Sequence, residues 1–145
     1  MWILFAIAAS IAWGLDYSLA ERVFEQKISV YTFVIVQLCI VLLFLLISMP
    51  FFTNIKPELT RIFGDRQLFL TVFGGALAFT LGNLLICLSI ADKNATVAGL
   101  IEISYPLFIV FFTWLLFGKN HLSLWTLLGG VLIFSGIFVI YAGEK

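Results

Sequence analysis

Ser29-Val-Tyr-Thr-Phe-Val-Ile-Val-Gln-Leu-Cys-Ile-Val-Leu-Leu-Phe-Leu-Leu-Ile-Ser-Met49 carries no charged side chain from end to end. Crossing the hydrocarbon of a bilayer takes about 20 mostly apolar residues in helical form. This stretch meets that requirement, and four others follow the same pattern: Trp2 to Ala20, Gln67 to Ala91, Ala95 to Phe117 and Leu124 to Ala142. Composition agrees. Hydrophobic residues make up 63% of the 145-residue chain and charged residues 11%, with a mean hydropathy of +1.16. Soluble domains carry about 45–50% apolar and about 25% charged residues. The excess apolar surface must face lipid. The expected fold is all-α and membrane-integral: five transmembrane helices in one domain over residues 1–145.

The gaps between spans are punctuated. Glu21 to Lys27 is charged, and Pro50 to Arg66 holds Pro50, Pro57 and Gly64 and reads as a loop. Asp92-Lys93-Asn94 makes a tight turn, with Asn94 as N-cap of the fourth helix. Gly118-Lys119-Asn120-His121 makes another, with Ser123 as the next cap and His121 solvated. No basic residue precedes the first apolar run, so that run reads as a retained helix rather than a secretory signal. No linker, low-complexity tract or internal repeat is evident.

Several function classes drop out. Net charge is zero, and no Lys/Arg cluster, zinc-ligand spacing or phosphate-binding glycine loop is present, so no nucleic-acid partner, metal or cofactor is expected. Cys39 and Cys87 fall within apolar stretches and read as small buried hydrophobes. One histidine and no nucleophile arrangement speak against an enzyme. Asn94-Ala-Thr96 matches a glycosylation sequon but opens a membrane helix.

Five spans put the termini on opposite faces. The N-terminal face holds Lys56, Arg61, Arg66 and Lys119, and the other holds Arg22, Lys27, Lys93 and Lys145. Orientation normally follows a Lys/Arg excess on the cytoplasmic side. Balanced loops point to insertion in both orientations and antiparallel pairing. A single orientation set by weaker cues is the alternative.

Polar groups inside spans are expensive and mark function. At about 1.5 Å per residue, Asp16 lies roughly 6 Å inside the second face, and Glu102, Gln37 and Asn83 roughly 11–12 Å inside it. Ser135 lies at a similar level. Glu102 is the leading candidate. Pro106, four residues on, has no N–H for the Glu102 carbonyl, so one turn presents both a carboxyl group and an open acceptor. Such a carboxyl can exchange a proton for cargo; its plainer role is to bridge two helices. Asp16 can simply reach the interface. Asn83 and Gln37 can serve as interhelical hydrogen-bond glue. Tyr105 and Trp13 are candidate cavity aromatics, although packing against core or lipid explains most aromatics in such a chain.

Small residues permit close helix approach. They recur at Ala6, Ser10 and Gly14, and at Gly74, Ala78 and Gly82. On the last span Gly129, Gly136 and Gly143 share one face, with Gly130 adjacent. That seam suits either self-association or packing within one chain.

Gly74-Gly-Ala-Leu-Ala-Phe-Thr-Leu-Gly82, Ala91-Asp-Lys-Asn-Ala-Thr-Val-Ala98, Ser104-Tyr-Pro106, Leu116-Phe-Gly118 and Leu127-Leu-Gly-Gly-Val-Leu-Ile-Phe-Ser-Gly136 together resemble the EamA-type repeat of the drug/metabolite transporter superfamily. Trp13-Gly14 fits as well. The resemblance implies a transporter of small organic molecules. Most members carry two such repeats in inverted orientation, so one repeat implies a homodimer that rebuilds the pair. Lys119 stands where the family's repeat usually has Glu. The rival readings are a hydrophobic-cation exporter and an accessory subunit paired with a different five-helix chain. The expected location is a cell membrane, most naturally a prokaryotic plasma membrane.

Overall fold

A computed structural model describes residues 1–118 and 123–143. Lys119, His121 and Lys145 lie outside the described residues. Among the described residues seven helices run in order: α1 (Trp2–Glu25), α2 (Val30–Phe52), α3 (Ile55–Gly64), α4 (Arg66–Asp92), α5 (Ala95–Glu102), α6 (Tyr105–Phe117) and α7 (Leu124–Gly143). The described residues form no strand. Among the described residues five segments are long and apolar enough to span a bilayer: α1, α2, α4, α5 with α6 as Ala95–Phe117, and α7. The chain is therefore an all-α membrane protein of five spans.

Little apolar surface turns inward. Ile47 is 71% exposed, Leu132 73% and Phe138 70%. Each would cost about 1.5–3 kcal/mol in water relative to burial, which only a hydrocarbon solvent removes. α1 also continues past Ala20 through Glu21 and Arg22 to Glu25, because a helix need not stop where the hydrocarbon does.

The caps follow local chemistry. Ser29 Oγ accepts from the Thr32 N–H at 3.2 Å, Asn94 Oδ1 from the Val97 N–H at 2.8 Å and Ser123 Oγ from the Thr126 N–H at 3.1 Å. Asn94 and Ser123 thus cap as expected. Gly118 closes α6 with φ 64°, donating its N–H to Trp114 O at 2.9 Å.

The segment expected as a loop, Pro50 to Arg66, is mostly helical. Pro50 lies in the last turns of α2, and Pro57 is the third residue of α3, where an N–H would have no helical partner anyway. Ile55, Leu59, Ile62 and Phe63 recur at helical spacing against Lys56, Glu58, Thr60 and Arg61, the pattern of an interfacial helix. Asp65 then caps α4, its Oδ1 accepting from the Gln67 and Leu68 N–H groups at 2.9 and 3.1 Å.

The chain divides into two compact units, 19–92 and 1–18 with 93–145. In the first, Val30 and Val34 on α2 pack with Cys87 on α4, surrounded by Phe24, Phe33, Leu38, Leu84 and Ile86. Phe24 and Phe33 meet edge to face with centroids 5.2 Å apart. Cys87 is buried as expected. Cys39 is exposed on the apolar surface of α2 instead.

In the second unit the buried glycine of α7 is Gly130. A Cβ there would stand 2.5 Å from Leu107 Cδ2 on α6. Gly130→Val is expected to destabilise the protein by about 1–3 kcal/mol through overpacking. Leu107→Ala in the same chain should recover much of that loss. Denaturant titrations in detergent micelles across the four-variant cycle measure the coupling.

Candidate functional site

α5 ends at Glu102 and α6 begins at Tyr105. Ile103 and Ser104 keep right-handed backbone angles, φ −53°, ψ −11° and φ −69°, ψ −17°. The hydrogen bonds shift register there. Ser104 N–H donates to Ile101 O at 3.1 Å rather than to Leu100, and Leu107 N–H donates to Ser104 O at 3.1 Å rather than to Ile103. The fourth span therefore passes through a tightened turn of 3₁₀ type, a frequent mark of a functional hinge. Pro106 is the second residue of α6 and not a helix-interior proline as the sequence suggested. Its missing N–H leaves the Glu102 carbonyl without an i+4 donor all the same. The chain meets the restriction by ending one helix and starting another.

Glu102 is half-buried, and Tyr17 Oη on α1 donates a hydrogen bond to its Oε2. Both residues belong to the unit of 1–18 and 93–145. Two features seat the tyrosine. Gly99, one turn before Glu102, has no side chain, and a Cβ there would lie 3.4 Å from Tyr17 Cδ2. Trp13, one turn before Tyr17, packs its ring against the tyrosine ring, with centroids 5.9 Å apart at 54°. The site is thus a carboxylate with a phenol donor, flanked by aromatic faces and placed at a break in a membrane helix. Chemically it can accept a proton, a hydrogen-bond donor or a cation.

The other sequence-selected residues divide. Trp13 and Glu102 are brought together through Tyr17. Asp16 is half-buried beside Tyr17 in sequence, and Tyr105 is 56% exposed at the start of α6. Gln37 and Asn83 belong to the unit of 19–92, both half-buried, and Asn83 Oδ1 is a buried acceptor with no hydrogen-bond partner among the described residues. Ser135 Oγ donates to Val131 O at 2.9 Å, which satisfies it within its own helix. Among the described residues no three His, Cys, Asp or Glu side chains group as a metal site.

Tyr17 was missed in the sequence. The available signals were its i+4 spacing from Trp13 and a glycine three residues before Glu102, but nothing in one dimension sets α1 against α5.

A model of the EamA-like transporter family matches residues 1–142. The chain belongs to the EamA-like transporter family. No curated protein and no solved structure matches it. Membership makes this EamA-like chain a multi-pass membrane transporter of small molecules.

The first-turn position of Pro106 makes a simple prediction. Pro106→Ala should change stability by less than about 1 kcal/mol. A proline at Ile109, inside α6, should cost about 3 kcal/mol or more. Unfolding midpoints of the two variants in mixed micelles distinguish these outcomes.

Proposed function

We propose that this EamA-like protein is a proton-coupled permease or exporter of small organic molecules, working by alternating access as an antiparallel homodimer. Glu102 is the residue that exchanges proton and cargo. The observation that carries this reading is the half-buried Glu102 carboxyl at the break of the fourth span, with Tyr17 donating to it. Ionisable groups within spans mark proton and substrate paths. Broken helices are where inverted-repeat transporters bind their cargo. Trp13, Tyr105 and Asp16 lie in the same unit and are candidates for contact with cargo. Asn83, with its open acceptor, and Gln37 are further candidates.

The dimer rests on two supports. Lys and Arg divide four and four between the faces, which gives no topogenic instruction. Among the described residues nothing lies within 4 Å of a Cβ added at Gly129, Gly136 or Gly143 on α7, a small-residue face suited to a second copy. A cell membrane, prokaryotic by this reading, is its location.

Hydrophobic-cation export is a second reading, favoured by the Trp13–Tyr17 ring pair beside a carboxylate.

Proteoliposomes loaded with a pH dye test the site. A panel of amino acids, amines, ethidium and tetraphenylphosphonium is added outside. The intact protein is expected to move protons with at least one class, and Glu102→Gln to fall to the level of empty vesicles. Proton movement retained in Glu102→Gln removes the proton role. A response confined to ethidium and tetraphenylphosphonium selects cation export.

Orientation is tested in whole cells. Cys39 and Cys87 are replaced by alanine and Lys145 by cysteine, and an impermeant maleimide is applied. Labelling of about half the population is expected if the bilayer holds both orientations in equal number. All-or-none labelling means one orientation, and the inverted partner is then a different chain or does not exist.

A further inference from the structure

We infer that Tyr17 is a positioning residue that occupies the Glu102 carboxyl in the empty transporter and must release it before proton or cargo can bind. This rests on the reading of Glu102 as the exchanging group. The argument starts from α1, where Trp13 and Tyr17 stand one helical turn apart with their rings in contact. The Tyr17 ring lies on α5 at Gly99, where a Cβ would just touch it at 3.4 Å and a larger side chain would meet it, and from there its hydroxyl reaches Oε2 of Glu102. Three residues on two helices thus converge to place a single phenol proton on a single carboxyl oxygen.

A phenol is a neutral donor. It satisfies one carboxyl oxygen without supplying a countercharge, so a cationic donor makes the stronger, charge-assisted bond. That makes Tyr17 an exchangeable cover and not a permanent counter-ion. The same turn holds the hinge. Ile103 and Ser104 carry the shifted hydrogen bonds immediately after Glu102. Release of the tyrosine therefore coincides with loss of the α1 contact at the hinge, which ties occupancy of the carboxyl to freedom of the break. Cargo bearing an ammonium or another strong N–H donor replaces the phenol most effectively.

The test reads the cover directly and needs no known cargo. Dicyclohexylcarbodiimide is an apolar reagent: a membrane carboxylic acid adds to its central carbon, the acid proton passing to one nitrogen, and the acyl group then shifts from oxygen to nitrogen to leave a stable N-acylurea. Purified protein in lipid vesicles is treated with it at one pH, and the adduct on Glu102 is followed by peptide mass spectrometry. Glu102→Gln provides the unlabelled control. Tyr17→Phe keeps the ring and its packing but removes the donor. It should label about fivefold faster or more, the factor carried by one hydrogen bond. Gly99→Val keeps the hydroxyl but pushes the ring away, and should accelerate labelling likewise, so a folding defect in one variant leaves the other to decide.

Labelling of Tyr17→Phe at the intact rate or slower means that the phenol does not cover the carboxyl, and the proposal fails. The outcome is separate from the transport reading. Accelerated labelling with proton movement intact in Glu102→Gln keeps the cover and discards the proton role; unchanged labelling with transport lost does the reverse.

Discussion

Hydrocarbon offers no hydrogen bonds. Every backbone N–H and C=O that enters the bilayer must find its partner inside the protein, at a cost of several kcal/mol for each failure. Long uninterrupted helices meet that constraint in α1, α2, α4 and α7. It also governs the small polar side chains. Ser10, Ser18, Thr71, Thr80 and Ser135 each donate to a carbonyl four residues back, which removes them from the inventory of available polar groups. Among the described residues the buried side-chain acceptor without a partner is Asn83 Oδ1, and the turn at Glu102 leaves a backbone carbonyl without its i+4 donor.

That turn is where local and tertiary chemistry meet. Proline at position 106 cannot donate, so the helix closes at Glu102 and restarts at Tyr105. The carboxyl of the closing residue then takes a donor from another helix, Tyr17 of α1. A helix break, an acid and a borrowed donor form one unit of chemistry. Gly99 is part of it because the tyrosine ring lies against it, at contact distance from an added Cβ and in the way of anything larger.

Glycine plays two distinct parts on α7. Gly130 is filled from within the chain by Leu107, which accounts for its lack of a side chain through packing alone. Gly129, Gly136 and Gly143 have no such neighbour within 4 Å of an added Cβ. Adjacent glycines of one helix thus answer to different surfaces. The seam in the sequence did not separate them, because spacing shows which residues share a face and not what that face meets.

Most of the fold was legible in one dimension. Hydrophobic length sets the number of spans, since the bilayer has a fixed thickness. Asn94 and Ser123 declare helix starts through short-range capping. The family resemblance rested on apolar and glycine patterns of the same local kind, and the matching family model extends over residues 1–142. α3 was misread because Pro57 was weighed as a breaker without regard to its place in the first turn. Glu102 was singled out by its depth and by Pro106. Only the tertiary structure decided its partner. Tyr17 and Glu102 are 85 residues apart, and a hydrogen bond over that separation depends on how two helices are laid together, which neither propensity nor periodicity encodes.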